Sequence, residues 1–377
     1  MSIPYGKQYI DEKDIDEVAK VLREDFLTTG PKVDEFEKKF AKYVGAKYAV
    51  AVSNGTTALH VACMAADLKK DEELITSPMT FAASASCALY CGAKPIFVDI
   101  TKQGLINPEK IEEKINNKTK IIIPVHYSGL TCDLEKIKNI ADKHKLVIIE
   151  DACHALGAKF KEEKIGSCKN SDMCVFSFHP VKHITTGEGG MITTNSEELY
   201  KKMVMLRNHG MTKNPKELTR NDGPWYYEIS KLGNNYRLTD IQCALGISQL
   251  NKLDKFVKRR REIADLYNKA FSQDNNVEII SEEKNQFNSY HLYVIKLKNS
   301  DIRKKLYEVL KEKGIICQVH YIPVYWHPLY VKMGYKKNLC HESELFYSRI
   351  LSIPIYPALK ESEQEFVIKS IKDFFRK

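Results

Sequence analysis

Lys182 has the surroundings with the sharpest chemistry in this chain. It closes the run S-F-H-P-V-K, Ser177 to Lys182, between one apolar stretch, Met173 to Phe178, and a second short one, Met191 to Thr194. Both stretches predict buried strands. A lysine on a tight loop between buried strands loses solvation, which lowers its pKa and leaves a nucleophilic amine suited to Schiff-base chemistry. A solvated surface lysine is the ordinary alternative. Gly187-Glu188-Gly189-Gly190 comes next, with glycines that permit turns other residues resist. Upstream, Ser53 to His60 reads S-N-G-T-T-A-L-H and opens a helix expected over 56–66. Free N–H groups at a helix start attract anions, with Thr56 and Thr57 as candidate contacts; a plain N-cap uses the same residue types. Asp151 follows the apolar run 146–150. An acid at the carboxyl end of a parallel strand lies where α/β sheets bind ligands, and a helix N-cap is the competing role.

The elements that must position these groups alternate along the chain. Strands are expected at 47–52, 74–78, 95–99, 121–126 and 146–150, with helices opening at Thr56, Thr80 and Asp133. Two amphipathic helices come earlier. The first, starting near Asp11, carries Ile15, Val18, Ala19 and Leu22 on one face; the second, from Pro31, carries Val33, Phe36, Phe40, Tyr43 and Val44. This order up to Asn195 predicts the α/β class with a mostly parallel, doubly wound sheet. The pattern stops near Asn251 to Asp254, where a helix over 253–271 leads into strands at 277–280, 291–296 and 315–320 and helices at 343–351 and 362–375. A large domain over 1–252 and a smaller α+β domain over 253–377 follow from that change.

The pattern S-F-x-x-x-K followed by T-T-G-E-G-G resembles the lysine segment of the DegT/DnrJ/EryC1/StrS sugar aminotransferases, and the likeness runs over essentially the whole chain. It implies fold type I and the cofactor pyridoxal 5′-phosphate (PLP), held by Lys182, the catalytic residue. By the same resemblance Thr56, Thr57 and Ser177 bind the cofactor phosphate and Phe81 covers the ring face. Asp151 keeps the pyridine nitrogen protonated, and His154 lies near the ring oxygen. G-N-N-Y-R-L-T-D, Gly233 to Asp240, matches a family motif whose asparagine, here Asn235, reaches the neighbouring subunit's PLP phosphate. That implies a homodimer with shared active sites. From the residues alone, Phe81 is equally an ordinary core residue, His154 a satisfied histidine and the Asn235 segment a capped helix start.

The longer run S-F-H-P-V-K-x-I-T-T-G-E-G-G and Gln318 to Tyr325, Q-V-H-Y-I-P-V-Y, are similar to one branch of the family. Its members make UDP-4-amino-4,6-dideoxy-N-acetyl-β-L-altrosamine for pseudaminic acid. The resemblance implies a UDP-sugar substrate, an amino donor that is glutamate by family habit, and contacts from Tyr5, Asp25, Phe26, Leu27, Thr28, Gly55, Gln318, Val319, His320 and Tyr321. His183 stands where that branch usually has proline. Transaminases for other UDP-, GDP- or dTDP-keto-sugars share the core motifs. A PLP-dependent sugar dehydratase replaces the anchoring lysine with histidine, and Lys182 argues against it.

The 377 residues suffice for a large core and predict about two or three domains. Ten scattered cysteines in a chain of this size predict reduced thiols, and none has zinc-site spacing, so no metal is expected. No apolar run reaches a membrane span and the N-terminus has no secretory pattern, so the protein is expected in the cytoplasm, off the membrane. The formal charge is +9, yet no nucleic-acid motif or basic tail accompanies it, and no nucleic-acid partner is expected. The densest basic cluster, Lys258 to Arg261, is expected to be mostly a solvated helix face.

Overall fold

The computed structural model describes residues 2–376. Seven strands form the main sheet: β1 (Tyr48–Val52), β2 (Glu73–Thr76), β3 (Lys94–Phe97), β4 (Thr119–Ile123), β5 (Val147–Asp151), β6 (Met173–Ser177) and β7 (Gly190–Thr194). Their spatial order is β1-β7-β6-β5-β4-β2-β3. β3, β2, β4, β5 and β6 run parallel, while β7 pairs antiparallel with both β6 and β1. The sheet is therefore mixed and mostly parallel, as the alternating pattern predicts.

Strand alternation sorts the side chains to two covered faces. Ala49, Ala51, Ile75, Ile122, Ile148, Cys174 and Phe176 enter one core, against the helices Pro31–Val44 and Leu134–His144. Val50, Val52, Leu74, Ile121, Ile149 and Val175 enter the other, against Gly55–Ala65, Ala83–Tyr90 and Glu197–Leu206. Phe40 anchors the first core, with ring centroids 5.1 Å from Phe176 and 5.6 Å from Phe178. Each such pair adds about 0.5–1.5 kcal/mol beyond its buried area. These contacts hold the Ser177–Lys182 segment from beneath.

The helix Leu253–Phe271 leads to a three-stranded antiparallel sheet, Val277–Ile279, Tyr293–Leu297 and Ile350–Ile353. Its core also takes in Ile3 from the other end of the chain and the helices Arg303–Glu312 and Glu361–Phe375. No helix among the described residues is long and apolar enough to cross a membrane.

Four local expectations change. In the helix Glu12–Val21 the buried residues are Asp14 and Val21, while Ile15 and Leu22 are 51% and 57% exposed. Asp14 is drawn inward because its Oδ2 takes Lys252 Nζ at 2.8 Å and Gln249 Nε2 at 2.7 Å. The segment 315–320 is extended but makes only single bridges, Ile315 to Ile3 and Gln318 to Ser352. The helix expected over 343–351 ends at Arg349, because Ile350–Ile353 is wholly buried and pairs as a strand. The basic cluster is only in part a solvated face, at the exposed Lys258. Arg260 is 1% exposed and donates to the carbonyls of Tyr290, His291 and Ile355, and Arg261 pairs with Glu282 at 2.6 Å.

Candidate active site

A cavity of about 510 Å³ opens at the carboxyl ends of β5 and β6. Of the residues singled out in the sequence, Tyr5, Gly55, Thr56, Phe81, Asp151, His154, Ser177, Lys182, His320 and Tyr321 line it. They come from distant parts of the chain, brought together because the parallel strands end on one edge.

One wall is the start of the helix Gly55–Ala65. The Asn54 side chain accepts the Thr57 N–H at 2.9 Å, and the Thr57 hydroxyl donates back to the Asn54 carbonyl at 2.9 Å. That cap leaves the Gly55 and Thr56 N–H groups without an intrahelical acceptor at the cavity wall. Ser177 lies opposite. A Cβ on Gly55 would stand 2.9 Å from Ser177 Cβ and 3.2 Å from Cys153 Sγ, so only glycine permits this approach. A Cβ on Gly190 would meet the Asn54 carbonyl oxygen at 2.4 Å, which explains the second glycine after Glu188.

Asp151 ends β5 and is buried. Its Oδ2 accepts from Ser84 Oγ at 2.5 Å, and its Oδ1 accepts from the Cys153 N–H at 3.1 Å. Two donors on one carboxylate fix its orientation at the cavity wall. Lys182 lies on the turn after β6, its N–H donating to the His179 carbonyl at 2.9 Å. Burial lowers the pKa of its amine, and Cys153 and Asp151 work against that shift. Its Nζ is 3.5 Å from His291 Nε2.

His154 Nδ1 accepts the Ser128 N–H at 3.4 Å, and its Nε2 is 2.9 Å from the Tyr321 hydroxyl oxygen. Burial holds its pKa well below the ordinary value, so the ring is neutral and its one proton sits on Nε2. The imidazole then donates to Tyr321, and the Tyr321 hydroxyl proton is free to serve a ligand. His320 pairs through Nδ1 with Ser352 Oγ at 2.9 Å, and burial and the nearby Lys182 lower its pKa to about 4. Phe81, 63% exposed, presents its ring at the cavity mouth.

Other singled-out residues lie elsewhere. Thr57 is spent in the helix cap. Asn235 is exposed and bridges Asn208, away from this cavity. Asp25, Phe26, Leu27 and Thr28 form an exposed turn, tied to the body by the Thr28–Thr239 bridge. Gln318 is exposed, and Val319 packs into the hydrophobic cores. His183 is 3% exposed and turned out of the cavity, its Nε2 donating to the Ser289 carbonyl at 3.0 Å. Ser84, Cys153, His179, Glu188 and His291 line the cavity without having been singled out as ligands. Ser84 sits in the T-F-A-A-S stretch, where helix-start chemistry was visible; His291 gave no local signal, since 109 residues separate it from Lys182.

This donor set suits a flat aromatic phosphate. Paired amides and a hydroxyl meet an anion, a buried carboxylate meets a ring N–H, and an amine of lowered pKa meets an aldehyde.

Comparison with known proteins agrees. Residues 8–372 match the DegT/DnrJ/EryC1/StrS aminotransferase family. A UDP-4-amino-4,6-dideoxy-N-acetyl-beta-L-altrosamine transaminase of Campylobacter jejuni is 40% identical over 370 residues, covering 97% of this chain and 95% of that protein. Helicobacter pylori PseC, an aminotransferase of pseudaminic acid biosynthesis, superposes with a TM-score of 0.93 at 31% identity and full coverage of both chains. The PLP form of a sugar aminotransferase from Streptococcus pneumoniae, Spr1654, gives 0.93 at 29% identity, covering 99% of this chain and 97% of that one. The chain therefore belongs to the DegT/DnrJ/EryC1/StrS aminotransferase family and is a pyridoxal-phosphate-dependent aminotransferase.

Proposed function

We propose that this enzyme moves an amino group from L-glutamate to C4 of a UDP-linked 4-keto-6-deoxy-N-acetylhexosamine, giving UDP-4-amino-4,6-dideoxy-N-acetyl-β-L-altrosamine. The observation that carries the sugar assignment is the 40% identity to the Campylobacter jejuni transaminase across nearly the full length of both proteins. The presence of Lys182, with His183 turned away from the cavity, supports amino transfer over dehydration.

Bound pyridoxal phosphate supplies an electron sink for the charge left when a proton leaves the donor's α-carbon. The protein's part is to hold, orient and move protons. The Gly55 and Thr56 amides and the Ser177 hydroxyl would hold the phosphate, at the positive end of a helix. Asp151, fixed by Ser84, would accept from the pyridine N–H and so keep that nitrogen protonated. Lys182 would hold the cofactor through its amine and, as a free base, would carry the proton from the α-carbon. Tyr5, His320 and Tyr321 border the sugar's side of the cavity, and Tyr321 offers it a hydroxyl proton. Two chains pair in this reading, with Asn235 and the 25–28 turn of each serving the other's site. Their exposure away from their own cavity supports that arrangement.

The test is a panel of UDP-, GDP- and dTDP-linked 4-keto-6-deoxy sugars with glutamate, read by mass spectrometry and product NMR. The UDP-N-acetyl sugar should be aminated at C4 with the highest kcat/KM. Higher kcat/KM on a GDP or dTDP sugar overturns the assignment.

A further inference from the structure

His291 packs against the reacting amine, yet its place in the chain, two residues before the strand Tyr293–Leu297 of the C-terminal sheet, marks it as scaffold. We propose that His291 is a positioning residue for Lys182, its Nε2–H directed at the amine so that the free base is held in place. The inference rests on the reading that Lys182 is the reacting amine.

Three observations carry it. His291 Nε2 is 3.5 Å from Lys182 Nζ. Its other nitrogen, Nδ1, is buried without a hydrogen-bond partner. The ring is also fixed. Its centroid is 4.3 Å from that of His154, and Arg260 Nη1 donates to the His291 carbonyl at 3.3 Å and to the Tyr290 carbonyl at 3.2 Å. On the other side, the Leu292 N–H donates to the Ser128 carbonyl at 3.2 Å.

The tautomer follows from the orphan nitrogen. A neutral imidazole has one N–H and one lone pair. Buried N–H groups without partners are rarer than under-used acceptors. The proton therefore belongs on Nε2, facing Lys182. Burial keeps His291 neutral, and the charges of Lys182 and Arg260 add to that. An N–H can donate to a lone pair, and the lysine amine has one only as the free base. The ammonium form could use this contact only through the other tautomer, which would leave an Nδ1–H buried without an acceptor. His291 thus favours the nucleophilic form, while Asp151 and Cys153 favour the ammonium. His154 and His183 flank the imidazole as neutral rings.

The experiment titrates Lys182 itself, in the cofactor-free enzyme. Brief acetic anhydride labelling across pH, with peptide mass spectrometry, gives the midpoint of amine reactivity. His291→Phe keeps a ring and removes the donor; its midpoint should rise by about 0.5–1 pH unit, the size of one net hydrogen bond. His291→Leu, run in parallel, carries the same expectation. His291→Gln, whose amide N–H reaches the amine, should stay near wild type. Thermal unfolding confirms that each variant is folded. A residue that only fills the core would change Tm and leave the midpoint alone. A folded His291→Phe or His291→Leu with an unchanged or lower midpoint overturns the inference, as does His291→Gln shifted as far as His291→Phe. Borohydride reduction of the wild-type holoenzyme tests the parent reading separately. Cofactor found on another lysine sinks the role of Lys182, whereas a midpoint that ignores His291 sinks only this proposal.

Discussion

Acid should destabilise this protein in a window where most proteins of its composition change little. His154, His183 and His291 are 6%, 3% and 4% exposed, and burial pushes each well below the ordinary histidine value. His320 is lowered to about 4. In the unfolded chain the same rings titrate near 6.5. As pH falls through that value the unfolded state binds protons that the folded state refuses, so stability is full above about 6.5 and is lost below it. At pH 5.5 an unfolded histidine is about nine-tenths protonated, which costs the folded state roughly 1–2 kcal/mol per ring. Four rings together approach about 6 kcal/mol, against a typical total of 5–15 kcal/mol. The half-buried His60 adds in the same direction, and Glu37, raised by burial, acts in the opposite sense. Carboxylates in the unfolded chain titrate near 4 and stay mostly silent in this window. Between pH 7.5 and 5.5 the cofactor-free Tm should fall by roughly 5–10 °C, and unfolding at pH 5.5 should take up three to four protons. Scanning calorimetry in buffers of different ionisation enthalpy measures both. His183→Gln should lower the uptake by about one. A flat Tm, or an uptake below one proton, refutes the argument.

Three substitutions probe the site and its supports. Ser84→Ala removes the 2.5 Å donor to Asp151 and should lower kcat roughly 10–100-fold with little change in Tm, read by steady-state kinetics. Gly55→Ala forces a Cβ to 2.9 Å from Ser177 Cβ and should weaken cofactor binding about tenfold, read by fluorescence titration. Arg260→Ala strands three carbonyl acceptors in the interior and should cost about 3 kcal/mol in denaturant unfolding.

What the sequence revealed follows the range of each signal. Strand and helix alternation is local, so the order of the main sheet's elements was legible up to Asn195. That Lys182, Asp151 and Thr56 share the cavity was legible because each sits at or just past the end of an element whose direction the pattern sets. The inward turn of Asp14 was not, since it depends on Gln249 at a helix end and Lys252 in the turn after it, more than two hundred residues on. Arg260 misled for the same reason. Two of its three acceptors, the carbonyls of Tyr290 and Ile355, lie outside every expected strand and helix, so its charge read as surface. The strand Ile350–Ile353 was absorbed into the preceding helix because a short apolar run carries no period of its own. His291 and Ser84 reach the cavity through tertiary packing, with no spacing to announce them.

The central claim is that Lys182 anchors the cofactor and moves the proton during amino transfer. Absorbance of the holoenzyme during titration with L-glutamate, in wild type and Lys182→Ala, tests it most directly. The account predicts that the yellow band of bound pyridoxal phosphate gives way to pyridoxamine phosphate absorption in wild type, and that Lys182→Ala fails to make this conversion. A wild-type band indifferent to glutamate, or a Lys182→Ala variant that converts as fast as wild type, would contradict it.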